Sequence, residues 1–346
     1  MSTDVLSEVL RAVRLNGAVF FTIEAAPPWV AEAPAAGQVA QQVLPGSEHV
    51  IEYHVVTRGS CYGTLHGGEP VPLATGDVIV FPHGDAHVMS SQPGLRGQFD
   101  TSLFRLPERG QLPIAVSLNA SCPTSAEVVC GFLGLDARPY NPLLSALPRV
   151  IHVPKRATSG AALVERLIEV AVHESSTRRP GSESMLARLS ELFFIEMVRH
   201  YLASLPSGTT GWLAGLRDDV IGRALAVLHD RPAATWTLED LAKEVGISRS
   251  VLAERFHHYV GTPPMQYLAR WRMQLAAGLL SGTNVTLAEV AERVGYGSEA
   301  ALSRAFKRLV GVAPSAWRDG ARPDPGYEAS NDLGSTADDA GATDPV

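Results

Sequence analysis

Two rhythms of apolar and polar positions divide the chain. From Val39 to about Val153, short apolar runs such as "HVIEYHVV", "GDVIVF" and "LRGQFDTSLF" are separated at close spacing by Gly, Pro and Ser clusters. Short strands punctuated in this way predict an antiparallel barrel or sandwich. After "LPRVIHVPKRA" the period becomes helical. Leu163, Leu167 and Val170 recur at helical spacing between about Ser159 and His173, as do Leu186, Leu189, Phe193 and Met197 between Glu183 and Leu205. Two amphipathic helices around the turn "STRRPGS" are predicted. "PSGTTG", Pro206 to Gly211, reads as a linker, and the acidic tail from Pro323, poor in large apolar residues, is expected to be disordered.

Between these segments lies a repeat with a period of about fifty residues. "LEDLAKEVGISRSVLAERFHHYVGTPPMQYL" from Leu238 aligns with "LAEVAERVGYGSEAALSRAFKRLVGVAPSAW" from Leu287 when one extra residue is allowed after Gly295. Leu238, Ala242 and Gly246 recur as Leu287, Ala291 and Gly295, and Leu252, Phe256, Gly261, Pro264 and Tyr267 as Leu302, Phe306, Gly311, Pro314 and Trp317. Each unit reads as a helix-turn-helix. A first helix ends at a glycine suited to left-handed backbone, and a second starts at a hydroxyl cap, Ser248 or Ser298. The small Ala242 and Ala291 allow the paired helices to cross closely.

This constellation, with the intervening "RWRMQLAAGLL" and the final "GVAPSAWR", resembles the AraC/XylS family of bacterial transcription regulators from about Val220 to Arg318. The resemblance implies double-stranded DNA as partner, both second helices entering adjacent major grooves about one helical turn, or roughly 34 Å, apart. RNA polymerase is a further partner it implies, and activation a role it suggests. Carried over by position, Arg249, Ser250, Ala253 and Glu254 in the first unit and Glu299, Ala300, Ser303 and Arg304 in the second would face base edges. Arg255, Lys307, Arg308 and Arg318 would contact phosphates, although each also reads as an ordinary solvated base.

Charge agrees with this placement. The chain carries −7 overall, yet residues 217–322 hold 14 bases against 11 acids, while the tail 323–346 holds six acids and no base. The basic excess sits in the block with the repeat, a weak indication of a polyanionic partner. The start of the chain has neither a secretory signal nor an apolar run long enough for a membrane span. Only three cysteines, Cys61, Cys122 and Cys130, occur, which argues against a disulfide framework. A cytoplasmic protein with no membrane partner is expected.

The strand-rich block contains "GDVIVFPHGDAHVMSS", which fits the second cupin motif through Gly76, Pro82, Gly84 and His87. Of the first cupin motif only Glu69 and Gly76 keep their spacing, and its His-x-His is missing. The block therefore resembles a cupin barrel with an incomplete metal site. His83 and His87, with Cys122 and Cys130 further on, would make a His2Cys2 set suited to Zn2+. Two other readings stand beside it: Cys122 and Cys130 as a redox pair, or His87 as a hydrogen-bonded turn residue with the cysteines as small core groups.

The expected fold class is α+β: an N-terminal cupin-like β-barrel over 1–155, a helical linker or dimerisation region over 156–212, an all-α double helix-turn-helix over 213–322 and the tail 323–346. The expected function is a sequence-specific DNA-binding transcription regulator, not an enzyme, whose cupin senses a small molecule, a metal or a redox signal. A small-molecule effector would sit in the barrel, near aromatics such as Tyr53, Phe81 and Phe99, and a homodimer is a further expectation. The competing class is a cupin metalloenzyme, a dioxygenase or isomerase, fused to a DNA-binding module.

Overall fold

The computed structural model describes residues 3–99, 114–120, 122–155, 161–177 and 179–322. The tail 323–346, expected to be disordered, lies outside them. The chain forms two compact units, one comprising Val13–Ala137 and Leu143–Thr209, the other Met1–Ala12, Arg138–Pro142 and Thr210–Val346. The division departs from the expected boundaries at three places: the part of the 156–212 region up to residue 209 joins the sheet unit, and both the first twelve residues and Arg138–Pro142 join the helical unit. Among the described residues, no helix is long and apolar enough to cross a membrane.

In the sheet unit the strands are β1 (Asn16–Ala25), β2 (Val30–Ala33), β3 (His49–Arg58), β4 (Ser60–Leu65), β5 (Val71–Ala74), β6 (Val78–Phe81), β7 (His87–Ser90), β8 (Ile114–Leu118), β9 (Ala126–Leu135) and β10 (Ile151–Val153). They form a six-stranded sheet, β10-β6-β3-β9-β1-β8, and a four-stranded sheet, β2-β7-β4-β5. Pairing is antiparallel except between β1 and β8. The expected barrel is therefore two sheets that are not closed into one hydrogen-bonded cylinder. Pro27 and Pro28 between β1 and β2, and Pro82 between β6 and β7, contribute no N–H donor where the chain passes between sheets. The strand expected in "LRGQFDTSLF" is absent over its described part, Leu95 to Phe99, where the Gly97 N–H donates to the Glu32 carboxylate instead of to a neighbouring strand.

β3 and β9 are buried along nearly their whole length, so both of their faces are covered. One face looks into the space between the sheets. The other is covered by α4 (Ala161–Thr177) and α5 (Ser182–Ser204), the two helices expected from the periodicity. Helix α5 also lies close over β1: a Cβ on Gly17 would stand 2.6 Å from the Ala187 carbonyl oxygen and from Ser190 Cβ. The described residues up to 209 also form the short helices α1 (Val5–Ala12), which belongs to the helical unit, α2 (Ala40–Val43) and α3 (Pro142–Ala146), and a single 3-10 turn at Ala36–Gln38.

The helical unit contains α6 (Trp212–Arg217), α7 (Asp219–Asp230), α8 (Leu238–Val245), α9 (Arg249–Val260), α10 (Pro264–Gly282), α11 (Leu287–Arg293), α12 (Glu299–Val310) and α13 (Pro314–Arg318). The repeated apolar positions form its cores: Leu241, Leu252, Phe256 and Tyr267 are buried in the first repeat, and Val290, Leu302, Phe306 and Trp317 in the second. Each such side chain contributes about 1.5–3 kcal/mol by leaving water.

Candidate ligand site and nucleic-acid interface

Strand periodicity assembles a polar cluster from β3, β7 and β9. On β3, Glu52 and His54 are two residues apart and share the face that looks between the sheets, while Tyr53 points to the other face, toward α5. His54 lies opposite Cys130 in the register and Glu52 lies opposite Phe132. The four-stranded sheet supplies His87, the first residue of β7. His54 Nε2 stands 2.6 Å from His87 Nε2, and His54 Nδ1 stands 2.9 Å from Cys130 Sγ. A Glu52 carboxylate oxygen lies 3.7 Å from His87 Nε2, while its Oε1 is buried with no hydrogen-bond partner. His87 Nδ1 lies 2.8 Å from the Asp85 carbonyl, and Phe81 stacks on the ring with centroids 3.7 Å apart.

Burial governs the ionisation of this cluster. It pushes the Glu52 carboxyl up to about 8 and the Cys130 thiol well above its usual range. It drives His54 well below the ordinary imidazole value, with His87 adding to the effect, and lowers His87 to about 4 against the opposing pull of the Asp85 carbonyl. All four groups are therefore neutral near pH 7.

The cluster borders a cavity of about 390 Å³. Phe21, Ile23, Met89, Val116 and Phe132 provide apolar wall, and Glu32, Glu52, His54 and Gln98 provide polar wall. Burial opposes the ionisation of Glu32, but Arg96, the Gly97 N–H and His66 outweigh it and hold this carboxyl down to about 2. Of the aromatics expected to line the space, Tyr53 faces α5, Phe81 stacks on His87, and Phe99 packs half-buried against the same core.

The four expected zinc ligands are not brought together. His83 Nε2 is 3.0 Å from the Leu147 carbonyl, Cys122 is exposed in the β8–β9 connection, and Cys130 lies against His54. Among the described residues, the potential metal ligands whose donor atoms all lie within 4.8 Å of one another are Glu52, His54 and His87. Glu69, expected as the remnant of the first cupin motif, is exposed. Sequence reasoning missed Glu52 and His54, although the period-two spacing of "EYH" places both on one strand face.

In the helical unit, α8 ends at Gly246 with φ +77°, and Gly295 has φ +79° just after α11. Ser248 caps α9 by accepting from the Val251 N–H, and Ser298 caps α12 from the Ala301 N–H. Ala242 and Ala291 are both buried at these crossings. With Leu252, Phe256, Leu302 and Phe306 turned inward, the opposite faces of α9 and α12 meet solvent. Arg249, Ser250, Glu254, Glu299, Ala300, Arg304, Lys307 and Arg308 lie on or beside these faces, with Ala253 and Ser303 half-buried among them.

Among the expected phosphate contacts, Arg255 and Arg318 bind groups of their own unit. Arg255 forms an ion pair with Asp218, whose carboxylate also caps α7, and Arg318 donates to the Val285 carbonyl at 2.6 Å. Both side chains thus brace helices of their own unit.

The family model described as Cupin matches residues 4–203, and the model described as Helix-turn-helix domain matches residues 241–320. A putative AraC-like transcription regulator of Streptomyces lividans is 37% identical over 78% of this chain and 86% of its own length. The chain belongs to the AraC-type transcription regulators. The HTH-type transcriptional regulator AlkR of Acinetobacter baylyi is 29% identical, covering 91% of this chain and 99% of that one. The RCS-specific HTH-type transcriptional activator RclR of Escherichia coli is 26% identical over 80% and 87% of the two chains. This AraC-type regulator accordingly binds double-stranded DNA through its helix-turn-helix domain, and its cupin domain carries the buried cluster and the cavity.

Proposed function

We propose that this AraC-type regulator works in the cytoplasm, catalyses no reaction, and responds to a small, largely apolar molecule held between the two sheets of its cupin. The cavity carries this reading. At about 390 Å³ it lies within the size range of small-molecule sites, and its walls combine an apolar body with a few polar groups. A neutral molecule with an apolar skeleton and one hydrogen-bonding group matches that lining. An anion would meet Glu32, held ionised by Arg96 and His66.

A second copy of the chain is the proposed protein partner. Leu163 and Val170 on α4 and Met185 and Leu192 on α5 are large apolar side chains left exposed, which supports pairing through these helices. RNA polymerase is proposed as a further partner on family membership alone.

The test uses the full-length protein with n-octanol as probe. The alcohol is expected to raise the melting temperature of the wild type and not that of Ile23→Trp or Met89→Trp, which fill the cavity. Equal shifts in all three proteins would remove the cavity from the reading. The enzymatic alternative expects a bound molecule to be transformed, so recovery of unaltered octanol after prolonged incubation counts for sensing.

A further inference from the structure

The two helix-turn-helix repeats share α10, and their cores change over near its midpoint. Tyr267 packs on Phe256 and Trp271 on His229 in the first repeat, whereas Met273, Ala277 and Leu280 join the core of the second. Long helices curve rather than act as straight rods, so α10 alone would let α12 swing relative to α9. Arg272 closes a second connection at the changeover. Its Nε donates to the Pro232 carbonyl at 2.7 Å and its Nη2 to the Ala234 carbonyl at 2.8 Å, both in the loop that leads from α7 into α8. Its guanidinium carbon stands 5.8 Å from the ring centroid of Tyr296, in the turn that leads from α11 into α12. Loop and turn also abut directly: a Cβ on Gly295 would lie 2.5 Å from the Ala233 carbonyl oxygen and 2.7 Å from its Cα. Each side is braced locally, since the Ala234 N–H donates to the Arg231 carbonyl at 3.2 Å and the Tyr296 N–H to the Ala291 carbonyl at 2.8 Å.

We propose that Arg272 locks the spacing between α9 and α12, and thereby selects operators by the separation of their two half-sites without touching a base or a phosphate. The guanidinium is half-buried, and its donors are turned to carbonyls of the protein. Its planar fork reaches two carbonyls while its face meets a ring, which the single ammonium of lysine cannot do. One base pair inserted between the half-sites moves the far one by about 3.4 Å along the duplex axis and about 35° around it. A locked pair of helices cannot follow that displacement without losing contacts at one half-site. A pair joined by α10 alone can follow it in part. Arg272 is thus a positioning residue for the DNA-binding surface: it decides where the outward face of α12 arrives when α9 is already seated.

The experiment takes the full-length protein and a duplex that it selects from a random library, with the half-sites located by base-by-base substitution. The same duplex is then lengthened or shortened by one base pair between them. Binding is read by fluorescence anisotropy, and melting curves establish that each variant is folded. The wild type is expected to lose on the order of 100-fold in affinity on either altered duplex, part of the span between specific and non-specific binding. Arg272→Met, which keeps an apolar stem and removes the fork, is expected to bind the selected duplex more weakly yet to lose less than about 10-fold on the altered ones. Arg272→Lys, with the charge but a single point donor, should fall between the two. The proposal is overturned if the wild type shows no spacing preference, or if folded Arg272→Met weakens on all three duplexes by the same factor, as loss of a phosphate contact or of stability alone would produce. Should Arg272→Met fail to fold, the spacing profile of Arg272→Lys decides in the same way.

Discussion

Tyr53 on β3 and Ser190 on α5 are joined by a buried hydrogen bond of 2.6 Å. Their strand position explains why the bond exists: Tyr53 lies between Glu52 and His54, so its side chain leaves the strand on the face opposite the polar cluster. Opposite it stands Gly131, where a Cβ would be 2.1 Å from Tyr53 Cζ, so glycine provides the room for the ring. One strand thus carries the cavity's polar wall on one face and a contact with α5 on the other.

Removing the hydroxyl and displacing the ring should therefore have different costs. Tyr53→Phe is expected to lose about 1 kcal/mol, because Ser190 Oγ keeps its bond to the Leu186 carbonyl. Gly131→Ala is expected to cost more, about 1–3 kcal/mol from overpacking alone. Urea unfolding of the two variants checks the order; a Gly131→Ala protein as stable as the Tyr53→Phe protein would contradict this account of the glycine.

The two turn glycines of the helix-turn-helix units give a second comparison. Both have left-handed φ, but a Cβ on Gly246 meets open space, whereas one on Gly295 would be 2.5 Å from the Ala233 carbonyl oxygen. Gly246→Ala is expected to cost about 1–2 kcal/mol for the backbone conformation. Gly295→Ala bears a clash in addition. Thermal unfolding should rank Gly295→Ala clearly below Gly246→Ala, and equal melting temperatures would show that the second turn relaxes freely.

Arg304 is exposed on the outward face of α12. Arg304→Ala is expected to weaken specific DNA binding by about 1–3 kcal/mol and to relax preference at one base position. Arg255→Ala, which also breaks the ion pair with Asp218, should lower the stability of the helical unit as well as DNA affinity. Gel-shift titrations over an operator library, paired with melting curves, separate the two; an unchanged affinity and sequence profile for Arg304→Ala removes this arginine from base readout.

Acid should destabilise the helical unit through His229. This imidazole is buried, lies 2.7 Å from the Tyr267 hydroxyl, and burial lowers its pKa to about 3. Unfolded histidine titrates near 6.5. As pH falls from about 6.5 toward about 3, the unfolded chain binds a proton that the folded chain refuses, and stability falls by at most about 1.4 kcal/mol per pH unit. Above 6.5 the contribution is level. Trp271, with its ring centroid 4.3 Å from that of His229, provides a fluorescence signal for urea unfolding at pH 7 and pH 5. His229→Gln is expected to reduce the dependence by one proton, and an unaltered slope would exclude this residue as its source.

The helical half of the protein was legible in the sequence to the level of single residues. Gly246, Gly295, Ser248 and Ser298 act through local backbone geometry, and the buried repeat positions follow a period of 3.6. Contacts of that kind lie within a few residues of each other, so spacing alone reveals them. The outward placement of Arg249, Glu254, Glu299 and Arg304 follows from the same period.

The sheet half was legible as strands, and its closure and its site were not. His83, His87, Cys122 and Cys130 looked like one set because they are potential ligands in neighbouring segments; strand register sends Cys130 to His54 and leaves Cys122 on the surface. By itself, the sequence determined most of the strands and helices after Val39, the double helix-turn-helix and the face on which each strand residue lies, because these depend on periods of two and 3.6. Tertiary structure alone decided which faces meet: Glu52 and His54 from one sheet approach His87 from the other only because the two sheets stack around a cavity. Such contacts join residues more than thirty positions apart, and no local spacing encodes them.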